Sequence, residues 1–299
     1  MKPIEILGKV FGLAVGLVFF LTQQENDTLL WGWFFLVMAT IGIPHGAIDH
    51  LIYHKKTSTR TGLLKFLYVY LGIMIIYLVC WWILPVTALI LFLIMSAYHF
   101  GQANFIPIKV ERNKTLLYLN TGFFYLAVIL FGDFERTSEI LTSMVDIQFF
   151  HPYSNAIILT LFVSSSILIA RLPAQTKYYY LIELSMLGFI LYQMPLLLAF
   201  ITYFGFWHAL PSLMEEFDKI TVVVTGNKAL FFVKQLLPFS AISLVGITLI
   251  LVFAYDWLTE KELTLLFFVM VSLISAPHIW IMNRFLETSS TQENTISTK

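Results

Sequence analysis

Charge is what this chain has least of. Asp, Glu, Lys and Arg make up 12% of its 299 residues, and 18 basic and 18 acidic side chains cancel to a net charge of zero. Soluble domains carry about 25% charged residues, so most of this surface cannot face water. No basic excess is present, which leaves no electrostatic footprint for nucleic acid. Cysteine occurs once, at Cys80. That excludes an intramolecular disulfide and a thiolate-rich metal site, and Cys80 reads as a small buried hydrophobe. Internal repeats and a separate soluble domain are also missing. Lys2 and Lys9 precede an apolar run, as in a signal peptide, but no small-residue cleavage site follows. The run is expected to be a retained first helix.

Hydrophobic residues make up 59% of the chain. A membrane span needs about 20 mostly apolar residues. Ten segments qualify, at about 6–22, 29–53, 63–83, 85–105, 115–132, 154–171, 178–193, 195–214, 229–253 and 262–286. The fold class is therefore an all-α, polytopic membrane helical bundle. Residues 1–286 form a single integral-membrane domain in this reading, and the Ser/Thr-rich tail 287–299 is expected to be disordered. With the N-terminus inside, every Lys and Arg except Arg136 and Lys261 falls on the inner side. This asymmetry supports the alternation and puts both termini in the cytoplasm. A pair of spans joined by a short outer loop can be lost without disturbing it, so eight spans fits as well.

Four of the seven histidines lie inside apolar segments. They are His45 in G-I-P-H-G-A-I-D-H, His99 in S-A-Y-H-F-G-Q, His208 in F-G-F-W-H-A-L-P-S and His278 in S-A-P-H-I-W-I-M-N. An ionisable ring at this depth is costly and marks a functional site by default. The four fall in spans two, four, eight and ten, which run in one direction. Each sits roughly 13–16 residues into its span, so at about 1.5 Å per residue they share a level within one helical turn. Unrelated histidines have no reason to share a level, and four imidazoles at one level point to a metal.

Imidazole suits zinc, copper, iron and nickel. With no carboxylate or thiolate ligand and an apolar surround, the set suits iron or copper handling oxygen. Asp49 follows His45 by one helical turn and is expected to orient its ring through the second nitrogen. Glu183, the other acid inside a span, is expected to act as a similar hydrogen-bond partner near the histidine level. His50 is turned about 140° from His45 in a regular helix and stands as a reserve ligand. His54 is placed at the membrane interface and His151 on the surface. Aromatics form 16% of the chain; Phe100, Phe206 and Trp207, beside the histidines, are expected to wall a pocket for a flat, apolar molecule. Two other classes stay open. Paired histidines can hold haem in an electron carrier, and helices interrupted near Pro44 and Pro277 can build a transporter site.

At these residues the chain becomes recognisable. G-I-P-H-G-A-I-D-H, A-Y-H-F-G-Q and F-W-H-A-L-P-S, in this order on a multi-span chain, resemble the Brp/Blh family of bacterial and archaeal membrane proteins. The resemblance runs from about Gly42 to Arg284. It implies an Fe(II)-dependent dioxygenase of the bacterial cell membrane that cleaves the central 15,15′ double bond of β-carotene with O2. The expected product is all-trans-retinal, passed to a microbial rhodopsin. The resemblance also places iron ligands at His45, His99 and His208. Where some members carry a fourth ligand histidine, this chain has Ser212. Either His278 or His50 completes the set, or three histidines hold the metal with open positions.

Overall fold

Each of the ten apolar segments is helical, and no strand occurs among the described residues. The computed structural model describes residues 3–22, 27–53, 60–108, 110 and 112–297, with the side chains of 20–22, 27, 60 and 287–297 outside that description. His54 and residues 298–299 lie outside the described residues, and so do the side chains of the expected disordered tail. The helices are α1 (Pro3–Thr22), α2 (Asp27–Val37), α3 (Asp49–Tyr53), α4 (Arg60–Ile83), α5 (Pro85–Asn104), α6 (Lys114–Gly132) and α7 (Phe134–Leu141). They continue with α8 (Ser154–Ile169), α9 (Ala174–Tyr192), α10 (Leu196–Tyr203), α11 (Leu210–Thr221), α12 (Lys228–Ala254) and α13 (Glu260–Ser297).

Among the described residues, eight stretches are long and apolar enough to cross a membrane. They are Thr28–Tyr53, Thr61–Ile83, Pro85–Asn104, Lys114–Gly132, Gln148–Ile169, Leu196–Thr221, Lys228–Ala254 and Glu260–Leu286. Helices α1 and α9 stand outside this set; α9 opens on Ala-Gln-Thr-Lys and carries Glu183. Among the described residues the protein is thus an all-α polytopic chain with eight candidate spans and three further helices, α1, α7 and α9.

Two spans are not regular helices, and both carry a histidine. Between α2 and α3 the backbone widens into a π-helix at Met38–Gly42 and tightens into a 3-10 turn at Pro44–Gly46. Pro44 has no N–H to continue an α-helix. Between α10 and α11 a π-helix spans Phe204–Ala209. Such wide turns occur often at functional sites. Pro277 has no comparable effect, since α13 runs through it.

Contacts divide the chain into two compact units, Met1–Gly42 with Leu93–Ser212, and Ile43–Phe92 with Leu213–Lys299. In the first unit α6 packs on α8 and α9, and α1 packs on α10 and its π-helical extension. Asp133 ties two helix starts together: Oδ1 accepts from the Arg136 N–H at 3.3 Å and Oδ2 from the Leu196 N–H at 3.0 Å. The part of α5 that bears His99 lies close to α6 because both contribute glycine. A Cβ at Gly101 would overlap the Tyr118 carbonyl, and one at Gly122 the Ala97 carbonyl. Small residues allow this approach between membrane helices.

In the second unit α13 packs on α3, α4 and α12. Ala47, Ile48, Ile52, Phe66, Phe232, Leu236, Ile281 and Met282 form its buried apolar cluster. Two polar links pin α4 to α13. The Trp81 indole N–H donates to Ser272 Oγ at 2.9 Å, and the Tyr70 hydroxyl donates to the Ile274 carbonyl at 3.1 Å.

Candidate metal centre

The four intramembrane histidines are all buried, and each unit contains a pair of them. In the first unit, His99 from α5 and His208 from the π-helix meet edge to face, with ring centroids 4.6 Å apart and planes at 78°. Phe100 lies against His208 at 4.6 Å, and Phe204 stacks on it at 5.4 Å. Tyr203 packs on Phe100 at 5.4 Å and receives a hydrogen bond from Asn104 Nδ2 at 3.1 Å. Aromatic packing therefore orients this pair. Ser212 sits one turn past His208 and is fully buried. Its hydroxyl donates to the His208 carbonyl at 2.8 Å, so it serves its own helix.

The second unit brings His45 and His278 together, again edge to face, at 4.7 Å and 83°. His45 comes from the 3-10 turn and His278 from the residue after Pro277 in α13. Asp49, 1% exposed, accepts from His278 Nδ1 at 2.9 Å. Asp49 thus holds His278, a partner that its one-turn spacing from His45 did not suggest; the 3-10 turn at Pro44–Gly46 interrupts the regular helix between His45 and Asp49. The carboxylate is an acceptor, so the Nδ1 proton is fixed and Nε2 carries the lone pair that a metal takes.

Other expected residues fall elsewhere. His50 contacts the Ala47 carbonyl through Nδ1 and Gln235 Oε1 through Nε2, both at 3.3 Å, and packs on Phe239 at 4.6 Å. Both nitrogens of this reserve ligand are thus engaged. Glu183 bonds the neighbour of a histidine. Its Oε1 accepts from the Trp207 indole at 2.9 Å, from the Tyr179 hydroxyl at 2.8 Å and from the Lys9 ammonium. The side chain is long enough to stop at the residue before His208. Of the expected pocket aromatics, Phe100 touches His208, whereas Phe206 stacks with Trp33 at 6.1 Å and meets Phe11 edge-on at 6.3 Å. Trp207 lines a cavity of about 350 Å³ together with Lys9, Asn104, Glu183 and Pro211. His151 is exposed, as expected.

Glu216 is a buried acid that sequence reasoning missed. Glu216 is 0% exposed, and neither carboxylate oxygen has a hydrogen-bond partner among the described residues. It lies in the second unit, as does Asp49. Span eight was expected to stop near 214, which put Glu216 in a loop; the apolar helix continues to Thr221. The available signal was its spacing, four residues beyond Ser212 and on the same helical face.

Fold and residues together define a class: a polytopic helical membrane protein with buried histidine pairs whose imidazoles suit a first-row transition metal. Residues 36–286 match the family described as beta-carotene 15,15′-dioxygenase, and the chain belongs to that family. The match contains all four histidines. A protein named Beta-carotene 15,15′-dioxygenase, from uncultured marine bacterium 66A03, is 29% identical over 178 residues, covering 56% of this chain. The aligned part spans 63% of that relative's length. No solved structure matches the chain.

Proposed function

We propose that this chain cleaves β-carotene at its central 15,15′ double bond with O2, using one Fe(II) held by His45, His99, His208 and His278. The observation that carries the reading is the family match from 36 to 286, which takes in every buried histidine. Three findings support the ligand set. The four spans share a direction and the four rings share a depth in the sequence. In each unit the rings already pair at 4.6–4.7 Å. Asp49 engages Nδ1 of His278 and leaves Nε2 to a metal, whereas both nitrogens of His50 meet other groups and Ser212 donates to its own helix.

Bound iron would supply the activation of O2, which no side chain here can perform. The protein supplies the rest. Phe100 and Phe204 present an apolar wall beside His208 that suits a polyene and excludes water. One oxygen atom goes to each of two aldehydes, so the overall reaction releases no proton and needs no acid–base residue. The products are two molecules of all-trans-retinal, suited to supply a microbial rhodopsin. The basic residues orient both termini to the cytoplasm, and we place the protein in the bacterial inner membrane.

Expression in bacteria that make β-carotene, followed by extraction, tests the proposal. Retinal should appear as β-carotene disappears, and the purified protein should carry iron without a Soret band. Unchanged β-carotene would contradict the reading, and a Soret band would favour the haem carrier.

A further inference from the structure

We infer that Lys9 and Glu183 form a clamp that positions His208 through Trp207, making helix α1 a working part of the site although the family match starts at residue 36. The inference rests on His208 being a ligand, as proposed above.

Three donors from three elements converge on one oxygen, Glu183 Oε1. They are the Lys9 ammonium of α1, the Tyr179 hydroxyl of α9 and the Trp207 indole of the π-helix. Lys9 also lies over the Trp207 ring, 5.2 Å from its centroid. The ion pair is mostly buried, with side-chain exposures of 15% and 12%. Burying two charges costs several kcal/mol per ion before their attraction is counted. An apolar pair would join α1 to the bundle at no such cost, so charge is a poor choice for mere adhesion. What charge adds here is direction, because it fixes the Trp207 ring.

That matters because of where Trp207 stands. It precedes His208 inside the π-helix, where the backbone leaves regular α-helical hydrogen bonding. The His208 ring is held by Phe100, Phe204 and His99. The backbone that carries it is held on the other side by the Trp207 indole. Helix α1 is seated for this task by glycines at four-residue spacing. Gly8 faces Leu210, Gly12 faces Phe206 and Gly16 faces Met194, each so closely that a Cβ would collide. Gly8 and Gly12 thus meet residues that flank Trp207 and His208. Lys9, next to Gly8, is delivered to Glu183 by the same contact. The clamp also lines the 350 Å³ cavity, and His208, next to Trp207 in the chain, is only 1% exposed.

The test uses full-length protein labelled with 5-fluorotryptophan, in detergent. One of seven tryptophan resonances is assigned to Trp207 by Trp207→Phe. Lys9→Met should shift or broaden that resonance and lower kcat for retinal formation by about 10–100-fold, the cost of a small ligand displacement. KM should change little, and Lys9→Arg should restore both readouts. Should Lys9→Met fail to accumulate, Glu183→Gln carries the same two readouts. An unmoved Trp207 resonance overturns the clamp, as does a moved resonance with wild-type kcat. If the wild-type protein makes no retinal, the dioxygenase reading fails by itself, and the resonance alone decides whether Lys9 holds Trp207.

Discussion

The two histidine pairs have nearly the same geometry and different supports. His99 and His208 meet at 4.6 Å inside aromatic packing, with Phe100 and Phe204 against His208. His45 and His278 meet at 4.7 Å, and a buried carboxylate holds His278. A ring held by packing answers to volume; a ring held by a hydrogen bond answers to charge and tautomer. The two pairs should therefore fail in different ways.

Removing a ring from either pair should have the largest effect. His208→Ala and His45→Ala should each reduce retinal in a β-carotene-producing host to background, and full yield from either would break the ligand assignment. Next comes Asp49→Asn, which keeps shape and loses charge. It should lower iron affinity or activity about 10–100-fold, as supporting partners of metal-bound histidines do. Phe100→Leu, which keeps apolar character and changes volume, should leave iron content near normal and lower activity. If Asp49→Asn were harmless while Phe100→Leu stripped the iron, the contrast between the pairs would be reversed.

A packing change tests the first unit alone. Gly101→Val forces a side chain into the Tyr118 carbonyl. Overpacking of this kind costs about 1–3 kcal/mol or more, and a lower melting temperature in detergent would register it. The smallest effect is expected in the second unit, at Glu216. A buried polar group without a partner costs about 1–3 kcal/mol in proteins, so Glu216→Leu should raise the melting temperature. A fall instead would mean that Glu216 has a partner in the working protein.

Much of this was legible in the sequence. All ten segments picked out by hydropathy are helical, and eight stretches among the described residues can span a membrane, because a long apolar run has few alternatives there; the short α7 was not foreseen. The histidines stood out because an imidazole in such a run is expensive. Pro44 flagged the distorted turn at His45, yet the consequence of the distortion was not readable: Asp49 turned to His278, which is 229 positions away in the chain. No pattern announced the π-helix at Phe204–Ala209, since its widened turn has no residue signature like that of proline. Glu183 was flagged as an acid in an apolar helix, but of its partners only Tyr179 is local, one turn back in α9, whereas Lys9 and Trp207 come from other elements and depend on tertiary packing. Glu216 was hidden by a helix end placed too early.

The central claim is that both pairs serve one iron. Iron quantified per chain in purified protein tests it most directly, for the wild type, His208→Ala and His278→Ala. The account predicts about one iron per chain in the wild type and its loss in both variants. Two irons per chain, or iron retained in full when either ring is removed, would contradict it.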